Sequence, residues 1–523
     1  MPTGPIKSYL WAFFIGSFCW IGLSAKSQQP NIILIMTDDM GFSDIGCYGS
    51  EIETPHLDAL AKGGLKFSQF YNSSRCCPTR ASLMTGLYAH QAGMGGMTGD
   101  KGAQHPGYRG HLNKNCMTIA EVLKTNGYLS VQTGKWHLGD KKEWWPSARG
   151  FDRTYGSPLG GGFYFNPANF RLKRNIVKND VILYDDKKAT PEGWYTTDVY
   201  TEEGFEVIDE AIEKDKPFFW YLAYNAPHYP LKAKEKDIQK YIGKYMKGWD
   251  AVREERLQKL KKLNLIKDHV SLSPREKGVP AWESLSEKEK ISQDRIMATY
   301  AAMIDSIDQN IGKLIHKLKE SNVYENTIIM YLHDNGGCAE GGTIGKNNKF
   351  LCGTEKSFAY CGKSWANVSN TPFKKFKKNI YEGGIATPFI VHWPKGILPS
   401  AVGTTVTQTS HIIDVMATAV DVSGSSYPKK YKGNVIYPLE GKSLSPIFKG
   451  DNIFREEPLF FEHAKNKGVR DGYWKLVSHK SDWALYNMKE DRSELIDRSS
   501  DYPEKVQSLL AKYQKWAKRC FVE

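Results

Sequence analysis

The sequence predicts an α/β fold in which a large, mostly parallel or mixed sheet is sandwiched by helices, with a smaller α+β unit at the C-terminus. Four apolar runs are typical of strands buried on both faces, and each ends in polar residues: 32–36, 128–132, 218–222 and 328–332. Ligands bind beyond the carboxyl ends of such strands, so residues far apart in the chain are expected to meet at one site.

Helical segments separate the strand-like runs. The clearest is predicted from Arg295 to Lys319, where apolar residues recur at helical spacing and indicate a helix packed on the core. A second helix is predicted from Trp249 to Leu263, within the lysine- and glutamate-rich stretch 232–290. That stretch is expected to be a surface excursion. The 523 residues are enough for one large core and an appended unit.

The character of the sequence changes after residue 425, where glycine, serine and proline at 424–428 indicate a break. Three short strands and one amphipathic helix are predicted beyond it, at 458–462, 472–478, 483–486 and 503–518. The chain is therefore expected to contain a main domain, 28–425, and a C-terminal α+β subdomain, 426–523.

The first 27 residues have the features of a secretory signal peptide. Lys7 is the only charge before a mostly apolar stretch from Leu10 to Leu23, and small residues follow it. The stretch is shorter than the roughly 20 apolar residues of a membrane-spanning helix, so no stable membrane insertion is expected. The sequence predicts a secreted or periplasmic protein.

The chain is basic, with a formal net charge of +13. This favours anionic partners, although a solvated lysine-rich surface explains it equally well. No nucleic-acid partner is expected. Among nine cysteines, Cys338, Cys352 and Cys361 are close enough in sequence for one local disulfide in an oxidising compartment. Their spacing does not resemble a zinc site.

The most informative motif is Cys76-Cys77-Pro78-Thr79-Arg80, followed by Leu-Met-Thr-Gly at 83–86. It places a potential nucleophile four residues before a fixed cation, which suits attack on an anion. Proline favours the first position of a helix, so Cys76 is expected at a helix N-terminus, where amide N–H groups face an anion. Adjacent cysteines could also be a structural pair, so the motif alone leaves both interpretations open.

Two pairs of oxygen-bearing side chains follow the first and last strand-like runs. Asp38-Asp39 and Asp334-Asn335 each come directly after a run and are soon followed by a glycine. Asp and Asn are also common in turns at strand ends, which would explain one pair alone. Two pairs at equivalent positions favour a site for Ca²⁺, Mg²⁺ or Mn²⁺.

Basic side chains and histidines follow the other runs. Lys135 and His137 come after the second run, His228 after the third, and Lys377 precedes Glu382-Gly383-Gly384 by five residues. With a divalent cation and the acids, these residues would give a net positive site that prefers a singly charged tetrahedral ester. Isolated histidines are usually structural, and five are assigned to that class: His56, His105, His111, His316 and His411.

These residues resemble the formylglycine-dependent sulfatases of the alkaline phosphatase superfamily, close to the bacterial arylsulfatase type. The run from Cys76 to Gly86 is similar to the family signature C-x-P-x-R followed by L-x-T-G, and the single residue before Pro78 selects Cys76 over Cys77. The resemblance spans nearly the whole chain after residue 27. Further matches lie at 30–39, 134–139, 226–228, 334–336 and 382–384.

The resemblance implies an alkaline phosphatase-like fold and a modified nucleophile. Cys76 would be oxidised to formylglycine (3-oxoalanine) by a separate maturation enzyme, and its hydrated aldehyde would attack sulfur. The family also implies one Ca²⁺ ion per chain. The implied ligands are Asp38, Asp39, Asp334, Asn335 and the modified Cys76.

The remaining implied roles concern the sulfate group. Arg80 would position the aldehyde hydrate, and Lys135 would bind sulfate oxygens. His228 and Lys377 would stabilise or protonate the departing alcohol oxygen, and His137 would take the proton whose loss expels sulfate. The predicted activity is hydrolysis of a sulfate monoester of a phenol or a sugar, with a sulfated small molecule or glycan as the partner.

Two departures from the family pattern leave the substrate open: His333 before the second acidic pair, and Ala386 where many relatives have arginine. Loops 145–200 and 339–372 are expected to line the pocket. One alternative is a phosphatase or phosphodiesterase on the same scaffold, which ordinarily has a Thr or Ser nucleophile and two metals. Another is a non-catalytic binder of sulfated polymers, which would not need the acidic pairs.

Overall fold

The strands of the main sheet are parallel at its centre, as the sequence predicts. The computed structural model describes residues 1–5, 29–161, 163–166, 174–479 and 482–523. Most of the predicted signal peptide, 6–27, lies outside the described residues. Within the described ranges, none of the helices combines the length and apolar composition needed to cross a bilayer.

Over the part of the chain that the structure describes, the main sheet contains eleven strands. In chain order they are β1 (Asn31–Thr37), β2 (Leu65–Tyr71), β3 (Leu129–Lys135), β4 (Arg153–Ser157), β5 (Ile176–Lys178), β6 (Val181–Tyr184), β7 (Phe218–Ala223), β8 (Thr327–His333), β9 (Ala386–His392), β10 (Thr405–Val406) and β11 (Ser410–His411). β1 lies in parallel between β8 and β7, and β3 lies in parallel between β7 and β4. β9 runs antiparallel to both β8 and β2, so the sheet is mixed.

The side chains of β1 show why the sheet is buried on both faces. Ile33 and Ile35 belong to the apolar cluster on one face, whereas Ile32, Leu34 and Met36 belong to the cluster on the other. Successive residues of a strand point to opposite faces, so a continuous apolar run requires two apolar layers. The predicted α/β fold with a mixed sheet is confirmed.

Several strands of the sheet were not predicted, above all β2 and β9. β9 contains Pro388, and proline within an apolar run argues against a strand. β2 carries Lys66, Ser68 and Gln69 among its apolar residues, so its sequence lacks the continuous apolar run that identifies a buried strand. The antiparallel edge of the sheet was therefore missed while its parallel centre was found.

Helices cover the sheet. In chain order they are α1 (Pro55–Lys62), α2 (Cys76–Thr85), α3 (Ile119–Lys124), α4 (Thr196–Glu213), α5 (Glu235–Gln239), α6 (Trp249–Lys262), α7 (Glu287–Glu320), α8 (Gly362–Ser369), α9 (Glu382–Ile385), α10 (Asp414–Ser423), α11 (Ser445–Phe448) and α12 (Pro503–Arg519). α6 ends within one residue of its predicted end. α7 begins well before the predicted Arg295, because Ser286 and Glu289 form a capping box ahead of its apolar stripe.

The stretch 232–290 is not the surface excursion that its charge suggested. Tyr241, Tyr245 and Trp249 are at most 1% exposed and belong to the main apolar core. Arg256 on α6 is fully buried and reaches Asp44 at 2.7 Å. The lysines of this stretch lie largely on its outer side, while its aromatic residues pack inward. The prediction of a surface excursion, which rested on composition alone, is therefore wrong for this stretch.

The C-terminal region forms a four-stranded antiparallel sheet of β14 (Leu459–His463), β15 (Asn466–Asp471), β16 (Trp474–His479) and β17 (Asp482–Asn487). A small hairpin, β12 (Lys430–Tyr431) and β13 (Asn434–Val435), precedes it. β15 was missed because four of its six residues are polar. α12 matches its prediction and buries Leu509, Tyr513 and Trp516. The domain boundary at 425 stays a prediction.

The predicted local disulfide is wrong. Cys338, Cys352 and Cys361 are free thiols, as are the other five described cysteines. Cys352 Sγ lies 3.5 Å from Thr299 Oγ1 on α7, whereas Cys338 and Cys361 line a pocket. Proximity in sequence does not by itself bring two cysteines to the Cβ–Cβ separation that a disulfide requires.

Candidate active site

The predicted site residues converge at the carboxyl-end edge of the parallel strands. β1 leads directly into Asp38 and Asp39, β8 leads into Asp334, and Lys135 is the last residue of β3. The backbone N–H of Asp38 donates to the carbonyl of Ala226, beyond β7, at 3.1 Å. Neighbouring strands thus bring together side chains that are far apart in the sequence.

Two lysines pair with the first two acids. Lys135 Nζ lies 2.5 Å from Asp38 Oδ2, and Lys377 Nζ donates to Asp39 Oδ1. All four residues are at most 5% exposed. Although burial opposes ionisation, the charge of Lys135 holds the pKa of Asp38 below its usual value. These carboxylates are therefore ionised next to fixed ammonium groups.

The second pair completes the acidic cluster. Asp334 Oδ1 accepts the backbone N–H of Asp39 at 3.3 Å, and Asn335 Nδ2 donates to Asp39 Oδ1 at 2.8 Å. Arg80 donates to Asp334 Oδ2 from Nη2 at 2.9 Å and from Nε at 3.2 Å. Arg80 Nη1 also donates to the carbonyl of Lys135 at 3.0 Å. The buried guanidinium therefore ties Asp334 to the end of β3.

Three buried oxygens of this cluster have no hydrogen-bond donor among the described residues: Asp38 Oδ1, Asp39 Oδ2 and Asn335 Oδ1. Ligand atoms of Asp38, Asp39 and His228 all lie within 4.8 Å of one another. A buried polar atom without a partner is costly and usually marks a bound water or ion. Carboxylate and amide oxygens suit hard divalent cations, so this donor set fits such an ion.

Cys76 is the first residue of α2 and is 1% exposed. The predicted helix N-terminus is confirmed, although Pro78 is the third residue of the helix and not the first. The sulfurs of Cys76 and Cys77 and a ring nitrogen of His137 lie within 4.8 Å of one another. A hydrogen bond with Cys77 holds the pKa of Cys76 well below its usual range, against the effect of burial. Both cysteines are free, so they are not a disulfide pair.

His137 is held in a fixed orientation. Its backbone is left-handed, with φ of 59°, and its N–H donates to the carbonyl of Pro158 at 3.0 Å. Gly160 packs so closely on the ring that a Cβ there would lie 2.1 Å from His137 Cε1. Burial lowers the pKa of His137 to about 4. The ring is therefore neutral at physiological pH and can accept a proton.

A contact of the His228 ring shows which of its two nitrogens carries the hydrogen. Nδ1 lies 2.6 Å from the carbonyl oxygen of Tyr229, so Nδ1 carries the hydrogen. Nε2 lies 3.5 Å from Asp39 Oδ2 and faces the acidic cluster. Burial lowers the pKa of His228, so Nε2 carries a lone pair in the neutral ring.

The Glu382-Gly383-Gly384 turn supports the loop that carries Lys377. The N–H of Gly383 donates to the carbonyl of Lys374 at 3.1 Å. A Cβ on Gly384 would lie 1.9 Å from the carbonyl oxygen of Asn379. Backbone atoms cannot move aside as a flexible side chain can. Glycine is therefore required for the close approach that places Lys377.

Three residues near the entrance of the site were missed: Arg75, Tyr229 and Glu340. Tyr229 and Glu340 line a pocket that reaches Asp39, together with other residues of the predicted pocket loop 339–372. Loop 145–200 contributes Gly160 next to the His137 ring. Its residues 162 and 167–173 lie outside the described part of the chain. No sequence motif identifies these three residues, because their positions relative to one another depend on the folded path of the loops that carry them.

His333 does not face the acidic cluster. Its ring lies 3.1 Å from the hydroxyl of Tyr331 and 3.2 Å from the carbonyl of Met40. Burial lowers the pKa of His333 to about 3, so it is a neutral packing residue. Of the isolated histidines, His316 pairs with Glu320 at 3.0 Å on the surface, and the structural assignment of the five stays a prediction.

The mixed sheet covered by helices, with the candidate site at its carboxyl-end edge, is an alkaline phosphatase-like fold. A sequence model of the sulfatase family matches residues 30–425. A second model, described as N-sulphoglucosamine sulphohydrolase, C-terminal, matches residues 373–518. The chain belongs to the sulfatase family and is a sulfuric ester hydrolase.

Two relatives share most of their length with this chain. An arylsulfatase of Klebsiella aerogenes is 34% identical, over 81% of this chain and 93% of that protein. An uncharacterized sulfatase of Schizosaccharomyces pombe is 32% identical, over 93% of each chain.

Solved structures agree in fold. Ps i-CgsB is 28% identical with a TM-score of 0.69, covering 94% of this chain and 93% of that one. It has also been solved in complex with k-i-k-neocarrahexaose. A phosphonate monoester hydrolase of Agrobacterium radiobacter has a TM-score of 0.58 at 17% identity, covering 94% of this chain and 96% of that one. The fold alone therefore does not select sulfate.

Proposed function

We propose that this sulfatase hydrolyses sulfate monoesters through a formylglycine made from Cys76, with one Ca²⁺ ion. The placement of Cys76 carries the proposal. It is buried at the N-terminus of α2, next to His137 and close enough to Lys135 and Asp38 for their charges to interact with its own. The hydrated aldehyde would supply one hydroxyl for attack on sulfur and a second whose deprotonation releases sulfate.

Asp38, Asp39, Asp334 and Asn335 would hold the metal, with the modified Cys76 as a further ligand. The three buried oxygens without donors support this assignment, because a hard cation would satisfy all of them. When bound, the ion would supply positive charge that polarises oxygens in the site. Arg80 would act by fixing the position of Asp334, since most N–H groups of its guanidinium already donate to protein acceptors.

Lys135 and Lys377 would bind the charged oxygens of the ester. Both ammonium groups are buried and already oriented by Asp38 and Asp39. Although burial opposes it, the charge of Asp39 raises the pKa of Lys377 well above its usual value, so Lys377 stays protonated. Preorganised positive charge favours a transition state in which negative charge develops on oxygen.

His228 and Lys377 would act on the departing alcohol oxygen, and His137 would act on the second hydroxyl of the nucleophile. Lys377 carries protons at any physiological pH. His228 can donate from Nε2 only when its ring is doubly protonated, because Nδ1 is committed to the Tyr229 carbonyl. The neutral ring of His137, held against Gly160, can take a proton.

A sulfated sugar is the proposed substrate class. Support comes from the neighbour solved with k-i-k-neocarrahexaose and from relatives named N-acetylgalactosamine-6-sulfatase, which are 27–28% identical to this chain. We further propose export by the N-terminal segment 1–27 and conversion of Cys76 by a separate maturation enzyme.

Peptide mass spectrometry tests the nucleophile. Active protein should yield a peptide containing residues 76–80 whose mass corresponds to an aldehyde in place of the CH₂–SH group of Cys76. Cys76→Ala should abolish sulfate release from 4-nitrophenyl sulfate. Cys77→Ala is the matched control, because conversion should still occur at Cys76. A fully active protein that carries an unmodified thiol at Cys76 would contradict the mechanism.

A further inference from the structure

A second set of charged side chains surrounds the entrance to the proposed site. Arg75, Tyr229 and Lys378 are each the direct chain neighbour of a proposed site residue, and Glu340 lies between them. This set therefore lies directly beside the proposed sulfate-binding groups along the chain.

Glu340 is the centre of this entrance cluster. Its Oε1 lies 2.7 Å from Lys378 Nζ and 3.5 Å from Arg75 Nη1. The side chain of Tyr229 also interacts with the carboxylate of Glu340. Burial opposes ionisation, but the bonds from Lys378 and Tyr229 lower the pKa of Glu340 to about 2. A charged acceptor therefore stands between two cations, with 29% of its side chain exposed.

Arg75 is not saturated by protein acceptors. Within the described residues, its guanidinium contacts the Met97 thioether sulfur at 3.2 Å and the more distant Oε1 of Glu340 at 3.5 Å. Thioether sulfur is a weak acceptor, and 3.5 Å is a long hydrogen bond. The guanidinium, 15% exposed, therefore has donor capacity for an incoming group. It is also close enough to Cys76 and Asp39 for their charges to act on it.

The pocket connects this cluster to the proposed metal site. Tyr229 and Glu340 line the same pocket as Asp39. Arg75 and Lys378 contact Glu340 from outside the pocket lining, so a leaving group at the mouth of the pocket meets the ionised Glu340 and its two cations. A phenol ring would strip water from these charges and offer them no hydrogen bonds, which is costly. A sugar presents hydroxyls that donate to a carboxylate and accept from cations.

We propose that Arg75, Glu340 and Lys378 form the leaving-group subsite and that they select a polyhydroxylated leaving group over a phenol. Hydroxyls next to the sulfate ester donate to Glu340 and accept from Arg75 and Lys378. The inference rests on the proposed sulfatase function and assigns specificity to residues outside the sulfate-binding set.

The first test compares two substrates. The best substrate from a panel of monosulfated hexoses is paired with 4-nitrophenyl sulfate, and kcat/KM is measured for each. Glu340→Gln should lower the ratio of sugar to aryl kcat/KM about 10- to 100-fold, as expected for loss of charge-assisted hydrogen bonds. Lys378→Gln should lower it in the same direction. Glu255→Gln, which disrupts an exposed pair with Lys247 at 2.6 Å, is the matched control.

An unchanged ratio in Glu340→Gln would show that the cluster is an ordinary surface ion pair and would overturn the proposal. An equal fall for both substrates would overturn it as well, because Glu340 would then act on sulfate chemistry and not on selection. Absence of sulfate release by the wild-type protein from every substrate would instead refute the proposed function.

Binding measurements on a catalytically inactive variant test the proposed subsite separately from the proposed function. In Cys76→Ala, calorimetry measures the Kd of the monosulfated hexose and of inorganic sulfate without turnover. Adding Glu340→Gln should weaken the sugar about tenfold or more and affect sulfate much less. Equal effects on both ligands, or no effect on the sugar, would overturn the subsite whatever the nucleophile proves to be.

Discussion

Lys475 Nζ, on β16 of the C-terminal sheet, donates a 2.8 Å hydrogen bond to Glu382 Oε1 in the turn that supports Lys377, and both side chains are fully buried. Lys475 also pairs with Glu494 at 2.8 Å, and Arg492 donates to Glu382 at 3.2 Å. The C-terminal subdomain therefore holds part of the proposed active site in place.

Lys475→Met should be strongly destabilising. It would leave two buried carboxylates with one cation fewer, and removing one partner of a buried ion pair costs about 3–5 kcal/mol. Urea unfolding should show this loss, and kcat for sulfate release should fall because the Glu382 turn loses its anchor.

The matched control for this substitution is Lys512→Met, which removes an exposed lysine that pairs with Asp471 at 2.7 Å. Exposed pairs contribute about 0–1 kcal/mol, so the control should unfold almost like wild type. Equal losses in the two variants would contradict a structural role for the Lys475–Glu382 pair.

The centre of the fold was predictable from sequence because its strands are apolar throughout. The run from Ile32 to Met36 has apolar neighbours on both faces, and only a doubly covered sheet explains it. β15 was missed because Asn466, Lys467 and Arg470 interrupt its apolar pattern. Asn466 and Arg470 are accommodated by hydrogen bonds to Lys378 and Gln69 of the main domain, which a local pattern does not encode.

The candidate site was predictable where one residue type is chemically required. Gly384 is such a case, because a Cβ would collide with the Asn379 carbonyl. Glu340 is the opposite case, since its position beside Arg75 depends on the path of a long loop and has no signature. The sequence placed Pro78 at the first position of α2, whereas Cys76 occupies that position and Pro78 the third. Proline is tolerated throughout the first turn of a helix, so the motif does not fix its exact position.

Metal removal should lower both stability and activity. The three donorless oxygens of Asp38, Asp39 and Asn335 predict that a bound cation stabilises the folded state, by about 2.7 kcal/mol at a concentration 100-fold above Kd. Thermal unfolding in EDTA, and after adding back Ca²⁺, measures this directly.

Asn335→Ala should reduce the Ca²⁺-dependent rise in Tm, because it removes one donorless oxygen. Asp209→Asn is the control, since Asp209 is an exposed partner of Lys317 far from the cluster in sequence. A Tm that does not respond to chelator or to Ca²⁺ in the wild-type protein would argue against a metal at this site.

The proposed leaving-group role predicts a dependence on the substrate. His228→Ala should lower kcat/KM more for a sugar sulfate than for 4-nitrophenyl sulfate, because an alkoxide needs a proton, which the doubly protonated ring of His228 can donate, and a nitrophenolate does not. General acid catalysis contributes about 10²–10⁴-fold, which bounds the effect on the sugar substrate. His137→Ala should lower release from both substrates alike. Equal effects of His228→Ala on both substrates would remove His228 from the leaving-group role.

Gly160→Ala tests the orientation of His137 without removing it. The new Cβ would lie 2.1 Å from the imidazole and must displace the ring, whereas the backbone of Gly160 is not left-handed and tolerates alanine. We expect kcat to fall at least about tenfold with little change in Tm, since a displaced base loses proton-transfer geometry. Gly96→Ala is the matched control, because its nearest neighbour would be 3.5 Å away. Full kcat in Gly160→Ala would show that the contact does not set the position of the base.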